Sequence, residues 1–401
     1  MKYSYETHYR SNRPDGRITA SHAALMELMR RNPPILTTPK DPTTEQVLEW
    51  QSHVRKKAVE VLNMPPFTKQ PAPVLLSQEQ RQGYRVERWE FYPDDVSAVP
   101  VLMLVPDSAS TEAPVPAVFC FTGSNHNKEF IADEPPIGLA GQIDRYPERN
   151  RMGRYYAENG MIAVCFDPLG ISELSLDTED PNKGWHSRTA FTHGLLMEGC
   201  NYVGYSARNA LCFLDFVKSL SYVDSSRIAV SGHSLGTELA IFLAMVTDDF
   251  SAIVFNDMCS SLRGRYISTT EHEDLADPAR EAKNFHLVPG MTRYFDLKDL
   301  CAAAAPRPLA MNEGGPDEYL EDIRRVYAAL GAEDRLQITH YPKYRDPDSR
   351  VYHGDMPLYG LSDEEFYQYS NTDAPDHSFR KEPSLALLKK AFWGNSFRKT
   401  E

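Results

Sequence analysis

Apolar and polar positions along the 401-residue chain follow two different periods, and the period changes repeatedly. Residues 1–40 show little periodic burial and read as irregular. From Thr43 the pattern turns helical. Val47, Trp50, Val54 and Val61 share one helix face, and Thr43 with Gln46 offers a capping box, so residues 43–64 predict a helix that ends at Met64-Pro65-Pro66. Residues 81–105 alternate with period two and predict two antiparallel strands, YRVERWEFYP and VPVLMLVP. A strand–helix alternation follows. PAVFCFTG (116–123) reads as a buried strand, and residues 154–170 as a helix end and a second strand. Residues 204–220 predict a helix, 226–230 a short buried strand and 235–246 an apolar helix. Strands at 250–258 and 306–314, a helix at 318–332, a last strand at 335–342 and a closing helix at 381–393 complete the series. The stretch 259–300 fits no clean element and reads as an insertion over the face where the strands end.

Buried strands alternating with helices predict an α/β fold. The sheet is expected to be mostly parallel, with helices on both faces and an antiparallel edge before it. The organisation that follows is an N-terminal irregular and helical extension (1–80) packed on one main domain (81–401), with the insertion around 259–300.

Composition narrows the partners. A net charge of −13 argues against nucleic acid or an anionic membrane surface. Residues 1–25 hold no apolar run of the leader type, and no segment reaches the length of a membrane span, so the chain reads as cytosolic, or as exported with its leader removed. The six cysteines have no metal-type spacing, and Cys120 and Cys165 fall inside apolar strand-like runs, which points to buried free thiols. No His/Asp/Glu cluster has metal-ligand spacing, so no metal or cofactor is expected.

The chemistry concentrates in AVSGHSLGTELA, residues 229–240. A strand that turns sharply into a helix drives its corner residue towards positive φ, and glycines two residues away on each side let strand and helix approach closely. Ser234, between Gly232 and Gly236, then stands exposed at the C-terminal end of the sheet and at a helix N-terminus, the arrangement of a nucleophile elbow. The other reading is a tight turn with an inert serine.

A serine hydroxyl needs a base, and the base needs an acid to orient it; in such sheets the chain order is serine, acid, histidine. Asp317, in the Gly-Gly-Pro-Asp turn after a late strand, is the expected acid, with Glu313 and Asp257 as rivals and helix capping as its structural alternative. His377, just before the closing helix, is the expected base. His353 is its rival in the same long loop, and His233 is expected to point away from the nucleophile. The backbone N–H groups of Leu235 and Ser124 are the expected oxyanion donors. Trp185 and Tyr205 fall in loops expected near a pocket, where an aromatic face can stack on a sugar or simply pack. Arg263, with Arg265, can meet a uronate carboxylate or form a solvated pair. Glu238, in the first turn of the nucleophile helix, reads as structural support.

Together these stretches resemble the α/β-hydrolases, and within them the bacterial acetyl xylan esterase-like group related to the pectin-active carbohydrate esterases. The likeness runs from about Gly123 to His377 and is carried by GSNHNKE, DPNKGW, YVGYSA, SGHSLGTE, FNDM, LVPGMTRYFDLKDLCAAAAPRPL, NEGGPDE and APDHSF in that order. It implies that nucleophile, acid and base match Ser234, Asp317 and His377, and it favours His377 over His353. It also implies a serine carboxylesterase that acts on acyl esters, foremost acetyl, of a small-molecule or oligosaccharide substrate. The alternatives are a methylesterase of a uronic acid and a non-catalytic binding protein that kept the fold.

Overall fold

The computed structural model describes residues 21–66, 68, 72–124, 126–135, 144–175, 181–267, 283–350 and 362–394. Strands β1 (Val74–Gln80), β2 (Tyr84–Phe91), β3 (Val99–Pro106), β4 (Val115–Phe121), β5 (Ile162–Phe166), β6 (Val223–His233), β7 (Ala252–Asn256), β8 (Leu309–Met311) and β9 (Leu336–Ile338) form one sheet. Its order is β1-β2-β3-β5-β4-β6-β7-β8-β9. Strands β1, β2 and β3 pair antiparallel, as does β3 with β5, and every pairing from β5 through β9 is parallel. The helices are α1 (Ser21–Arg31), α2 (Thr44–Leu62), α3 (Lys128–Ala132), α4 (Met152–Glu158), α5 (Pro181–Met197) and α6 (Tyr202–Ser219). They continue with α7 (Leu235–Val246), α8 (Leu262–Ile267), α9 (Leu297–Ala303), α10 (Asp317–Ala329), α11 (Asp363–Tyr369) and α12 (Lys381–Trp393). This is the doubly covered, mostly parallel sheet of the α/β-hydrolase fold.

The central strands are apolar throughout because both of their faces are covered. On β4, Ala117, Phe119 and Phe121 join the larger core, under α2, α6, α7, α9 and α10, while Val118 and Cys120 join the smaller one under α4 and α12. Cys120 and Cys165 stand opposite each other on β4 and β5 and are buried free thiols, as the sequence pattern suggested. Helix α2 has the expected capping box between Thr43 and Gln46 and buries Val47, Trp50, Val54, Ala58 and Leu62. Those residues belong to the same core as Phe242 and Ile253, and β1 pairs with β2, so the sheet and its main core both begin inside residues 1–80.

Some elements carry no strong periodic signal. Helix α1 lies in the segment read as irregular; its Leu25 and Leu28 stay exposed, which weakens the periodic signal. Strand β1 has the same problem, since Val74, Leu75 and Leu76 are all exposed at the sheet edge. The stretch 259–300 is not elementless either. It contributes α8 and α9, and α9 is capped by an Asp296/Asp299 box rather than by the Ser/Thr…Glu/Gln form. Among the described residues no helix is long and apolar enough to cross a membrane.

The weight of this core is measurable. Phe242 is buried in the middle of α7, so Phe242→Ala is expected to destabilise by about 3–5 kcal/mol, whereas Thr43→Ala, which removes only the α2 cap, should cost about 1 kcal/mol; urea unfolding curves of the two variants check the ranking.

Candidate active site

Ser234 sits at the corner between β6 and α7 with φ 53° and ψ −121°. That conformation is unfavourable for a residue with a Cβ, by about 1–3 kcal/mol, and persists only where packing dictates it. Here it does. A Cβ on Gly232 would fall 2.3 Å from the Gly236 carbonyl oxygen, and one on Gly236 would fall 2.2 Å from the Phe121 carbonyl oxygen. Glycine at both positions is therefore a steric requirement. The Ser234 N–H donates to the Asn256 carbonyl at 3.1 Å, which ties the corner to the end of β7. Its hydroxyl makes no cap hydrogen bond to α7.

The loop after β4 lies against this corner. A Cβ built on Gly123 would be 3.3 Å from Ser234 Cβ and 3.4 Å from His233 Nδ1. The Gly123 carbonyl accepts from Thr122 Oγ1 at 2.8 Å and from the His126 N–H at 3.2 Å. In a trans peptide the N–H points opposite to the carbonyl, so these two bonds also fix the direction of the Ser124 N–H. The Ser124 carbonyl in turn accepts from Arg188 Nη2 at 2.6 Å, and the buried Arg188 guanidinium lies 4.7 Å over the Phe285 ring. Leu235, the other expected donor, is the first residue of α7, where helix geometry leaves the backbone N–H without an intrahelical acceptor. Just beyond the loop, Lys128 is 1% exposed and its Nζ meets Glu129 and Asp167, each at 2.9 Å, and also Glu173. This cluster fastens α3 to the end of β5.

His377 follows a short 3₁₀ turn, Ala374–Asp376, ahead of α12. Its Nδ1 is 2.6 Å from Glu313 Oε2. A carboxylate only accepts, so Nδ1 carries the proton and Nε2 is the nitrogen left to take one. Glu313 is fully buried two residues past β8, and its other oxygen accepts from the Ser378 N–H at 3.1 Å, with Arg380 Nε 3.6 Å away. Bonds to both oxygens hold the carboxylate in one orientation.

Asp317, the expected acid, is elsewhere. Its carboxylate is 42% exposed and bound to Arg350 Nη1 at 2.9 Å. Gly314 and Gly315, at φ 65° and 154°, swing the chain away from the sheet edge after Glu313, and Asp317 becomes the first residue of α10. There its charge favours the helix N-terminus, but Pro316 holds the N-cap position and no side chain caps the helix, so the capping role weighed for Asp317 is not the one it plays. Glu313, one of its two rivals from the sequence, takes the place beside His377. The third candidate, Asp257, is buried, and a carboxylate oxygen of it lies within 4.8 Å of the Glu313 and His377 atoms.

His233 was expected to turn away from this centre, but its ring stacks on His377 with centroids 4.8 Å apart and planes 26° apart, and stacks on His126 on its other side. Burial, then the neighbouring His377 and His126, push its pKa well below the usual histidine value, so it is a neutral spacer. Glu238 braces the insertion as anticipated in kind: its Oε1 is 2.7 Å from His286 Nδ1, and both side chains are buried.

The remaining sequence candidates divide. Tyr205 is already engaged, edge-on to Phe191 at 5.4 Å and 4.3 Å beneath the Arg208 guanidinium, so its ring is packing. The Arg263 guanidinium reaches the Asn32 carbonyl at 3.5 Å, which ties α8 to the segment after α1. Trp185 is on α5, but its side chain lies outside the described residues, as do the side chain of Arg265 and all of His353. Arg188 and His286 were not singled out from the sequence, because nothing local distinguishes an arginine or histidine that folding will bury.

The model of the Abhydrolase family matches residues 3–390. The crystal structure of a "putative acetyl xylan esterase" from Bacteroides fragilis NCTC 9343 is 33% identical and superposes with a TM-score of 0.84 over 95% of this chain and 97% of that one. A methylesterase structure, 18% identical, superposes with a TM-score of 0.51 over 93% of this chain and 80% of its own, a likeness of fold. "Putative hydrolase YtaP" of Bacillus subtilis (strain 168) is 24% identical over 208 residues, 49% of this chain and 67% of that protein.

Two predictions follow from the charges around the site. His340 Nδ1 would lie 2.6 Å from a Cβ on Gly314, and burial, then Arg350, draw the His340 pKa down to about 4 from 6.5. At these two histidines, His233 being depressed as well, the unfolded state binds protons that the folded state does not. Their contribution to stability is therefore lost as pH falls below about 6.5, while the raised buried carboxylates of Glu129, Asp167, Asp296 and Asp299 act in the opposite sense. Thermal unfolding midpoints should drop from pH 7 to pH 5, and His340→Gln should flatten the slope; an unaltered slope in both His340→Gln and His233→Phe would place the acid sensitivity in other groups. Separately, Lys128→Met leaves Glu129 and Asp167 buried without their cation, so denaturant titration should show a loss of roughly 3–5 kcal/mol.

Proposed function

The chain belongs to the Abhydrolase family and is an ester hydrolase, and on that premise we propose that it is a serine carboxylesterase with Ser234 as nucleophile, His377 as base and Glu313 as acid, acting on acyl esters, foremost acetyl, of a carbohydrate. The observation that carries this reading is the 2.6 Å bond from His377 to the buried Glu313 at the same edge of the sheet as the strained Ser234 corner. The 33% identical Bacteroides fragilis protein supports the acetyl ester of a sugar as the substrate class.

The steps use these residues alone. Ser234 Oγ bonds to the ester carbonyl carbon while its proton passes to His377 Nε2, and Glu313 steadies the imidazolium. The carbonyl oxygen takes up negative charge between the Leu235 and Ser124 N–H groups. The carbon–oxygen bond to the sugar then breaks, and the departing oxygen takes the proton from His377. Water attacks the acyl-enzyme with His377 again as base, and the carboxylic acid leaves as Ser234 regains its proton. The alternative is a uronate methyl ester, on the strength of the pair Arg263 and Arg265; the Arg263 Nη atoms lie 3.5 Å from the Asn32 carbonyl, and the Arg265 side chain is outside the described residues.

A substitution panel assayed on acetylated sugars and p-nitrophenyl acetate tests the assignment. Ser234→Ala should remain folded with kcat/KM reduced by roughly three or more orders of magnitude, and Glu313→Gln by roughly two to four orders. Asp317→Asn should stay within about threefold of the parent enzyme. Loss of turnover in Asp317→Asn with Glu313→Gln active would return the acid to Asp317.

A further inference from the structure

Two groups that must meet around Ser234 come from opposite flanks of its strand. The Ser124 N–H follows β4 on one side of β6, and His377 is oriented by Glu313, which follows β8 on the other. Strands β6 and β7 lie between, so sheet pairing does not join the two loops directly.

The segment 144–151, ahead of α4, touches both. The Asp144 side chain is 6% exposed, and each of its oxygens is used. Oδ1 accepts from the Tyr146 N–H at 2.7 Å, and Oδ2 accepts from Asn150 Nδ2 at 2.7 Å and from His126 Nε2 at 2.6 Å. Burial by itself would raise the Asp144 pKa, but the bonds from His126, Asn150 and Tyr146 outweigh it and hold the carboxyl below its usual value. The ionised carboxylate only accepts, so His126 Nε2 carries the proton.

On one side this bond fixes a ring. His126 stacks on Phe130 at 4.5 Å and on His233 at 5.9 Å, and its Nδ1 has no hydrogen-bond partner among the described residues. Stacking sets the plane of the ring, and the bond to Asp144 sets its rotation within that plane. The ring bears on the loop after β4: a Cβ on Gly123 would lie 3.5 Å from His126 Nδ1, and the His126 N–H and carbonyl are bonded to the Gly123 carbonyl and to Thr122 Oγ1.

On the other side three contacts reach the turn that carries His377. The Tyr146 hydroxyl donates to the Pro375 carbonyl at 3.0 Å, Arg149 Nη1 donates to Asp376 Oδ1 at 2.8 Å, and the Phe379 N–H donates to Asn150 Oδ1 at 2.6 Å. They fall on both sides of His377 in the chain. Arg149 is half exposed, so its pair adds little, whereas Asn150 is buried.

We propose that Asp144 is a positioning residue: through His126 and Asn150 it fastens the oxyanion loop to the His377 turn, so that the Ser124 N–H and His377 Nε2 keep one separation about Ser234. The proposal rests on the serine-esterase reading. Asp144 touches no reacting atom in that reading. Its leverage is geometric, because a displacement of about 1 Å at the reacting groups costs roughly a hundredfold in rate.

The test refers kcat to the amount of serine that a serine-directed organophosphate labels at completion, which separates lost enzyme from slowed enzyme. Asp144→Ala should lower kcat per labelled serine on p-nitrophenyl acetate by roughly 10- to 100-fold, with KM within about threefold of the parent. Asp144→Asn keeps a carbonyl acceptor and should lose only about threefold. His126→Phe keeps a stacked ring without the bond to Asp144, and Asn150→Ala removes the link to Phe379. Each should lower kcat roughly tenfold, and the double variant also roughly tenfold, because one cut already separates the loops. Three results would overturn the positioning role and leave the serine-esterase reading intact: a loss of roughly a hundredfold in the double variant, the parent's kcat per labelled serine in Asp144→Ala, or no labelled enzyme even in Asp144→Asn. Ester hydrolysis at the parental rate in Ser234→Ala would overturn both.

Discussion

The corner at Ser234 is the constraint on which the rest of the site depends. Its positive φ is unfavourable by itself, and β6 and α7 hold it there because they approach each other, and β4, too closely for a side chain at Gly232 or Gly236. Shape is thereby converted into chemistry. The corner lifts the serine side chain off both elements, places the Leu235 N–H at the head of a 12-residue helix, and brings Ser234 beside Gly123 of the neighbouring loop. An exposed serine corner and a helix-terminal N–H without an intrahelical acceptor thus come from one backbone feature.

Loops alone would not keep the other groups in register. Buried charged and polar side chains do that work around the rim. Lys128 joins α3 to the end of β5, Arg188 anchors the Ser124 carbonyl from α5, and Glu238 holds His286 of the insertion. Each such contact is costly to bury and strongly destabilising to break from one side, so it fixes a geometry more than it adds net stability. The stacked rings of His126, His233 and His377 extend the same logic to His377. The neutral His233 imidazole fills space beside it without adding a charge.

Strand order also divides the surroundings of the Ser234 corner. Glu313, which holds His377, comes from the β8 side of β6, and an apolar cavity lies on the β4/β5 side. Metal chemistry is not needed to explain the group of Asp257, Glu313 and His377. A 2.6 Å separation between Glu313 and His377 is that of a charge-assisted hydrogen bond.

Much of this was legible in the chain because it is local. Period-two and period-3.6 patterns located the central strands, α2, α6, α7 and α12, since those elements bury a continuous stripe or both faces. The Gly-x-Ser-x-Gly spacing located the corner because its steric demand acts within five residues. Exposed α1 and edge strand β1 left no such trace. Which carboxylate meets His377 was decided only by the tertiary structure. Glu313 and Asp317 are four residues apart in one turn, and both follow the same strand. Which of them reaches His377 depends on two left-handed glycines between them, on Ser378 and Arg380 brought from beyond residue 377, and on Arg350 drawing Asp317 outward. Those contacts join segments 33 to 67 residues apart, and residue order along one turn carries no information about which carboxylate they will meet.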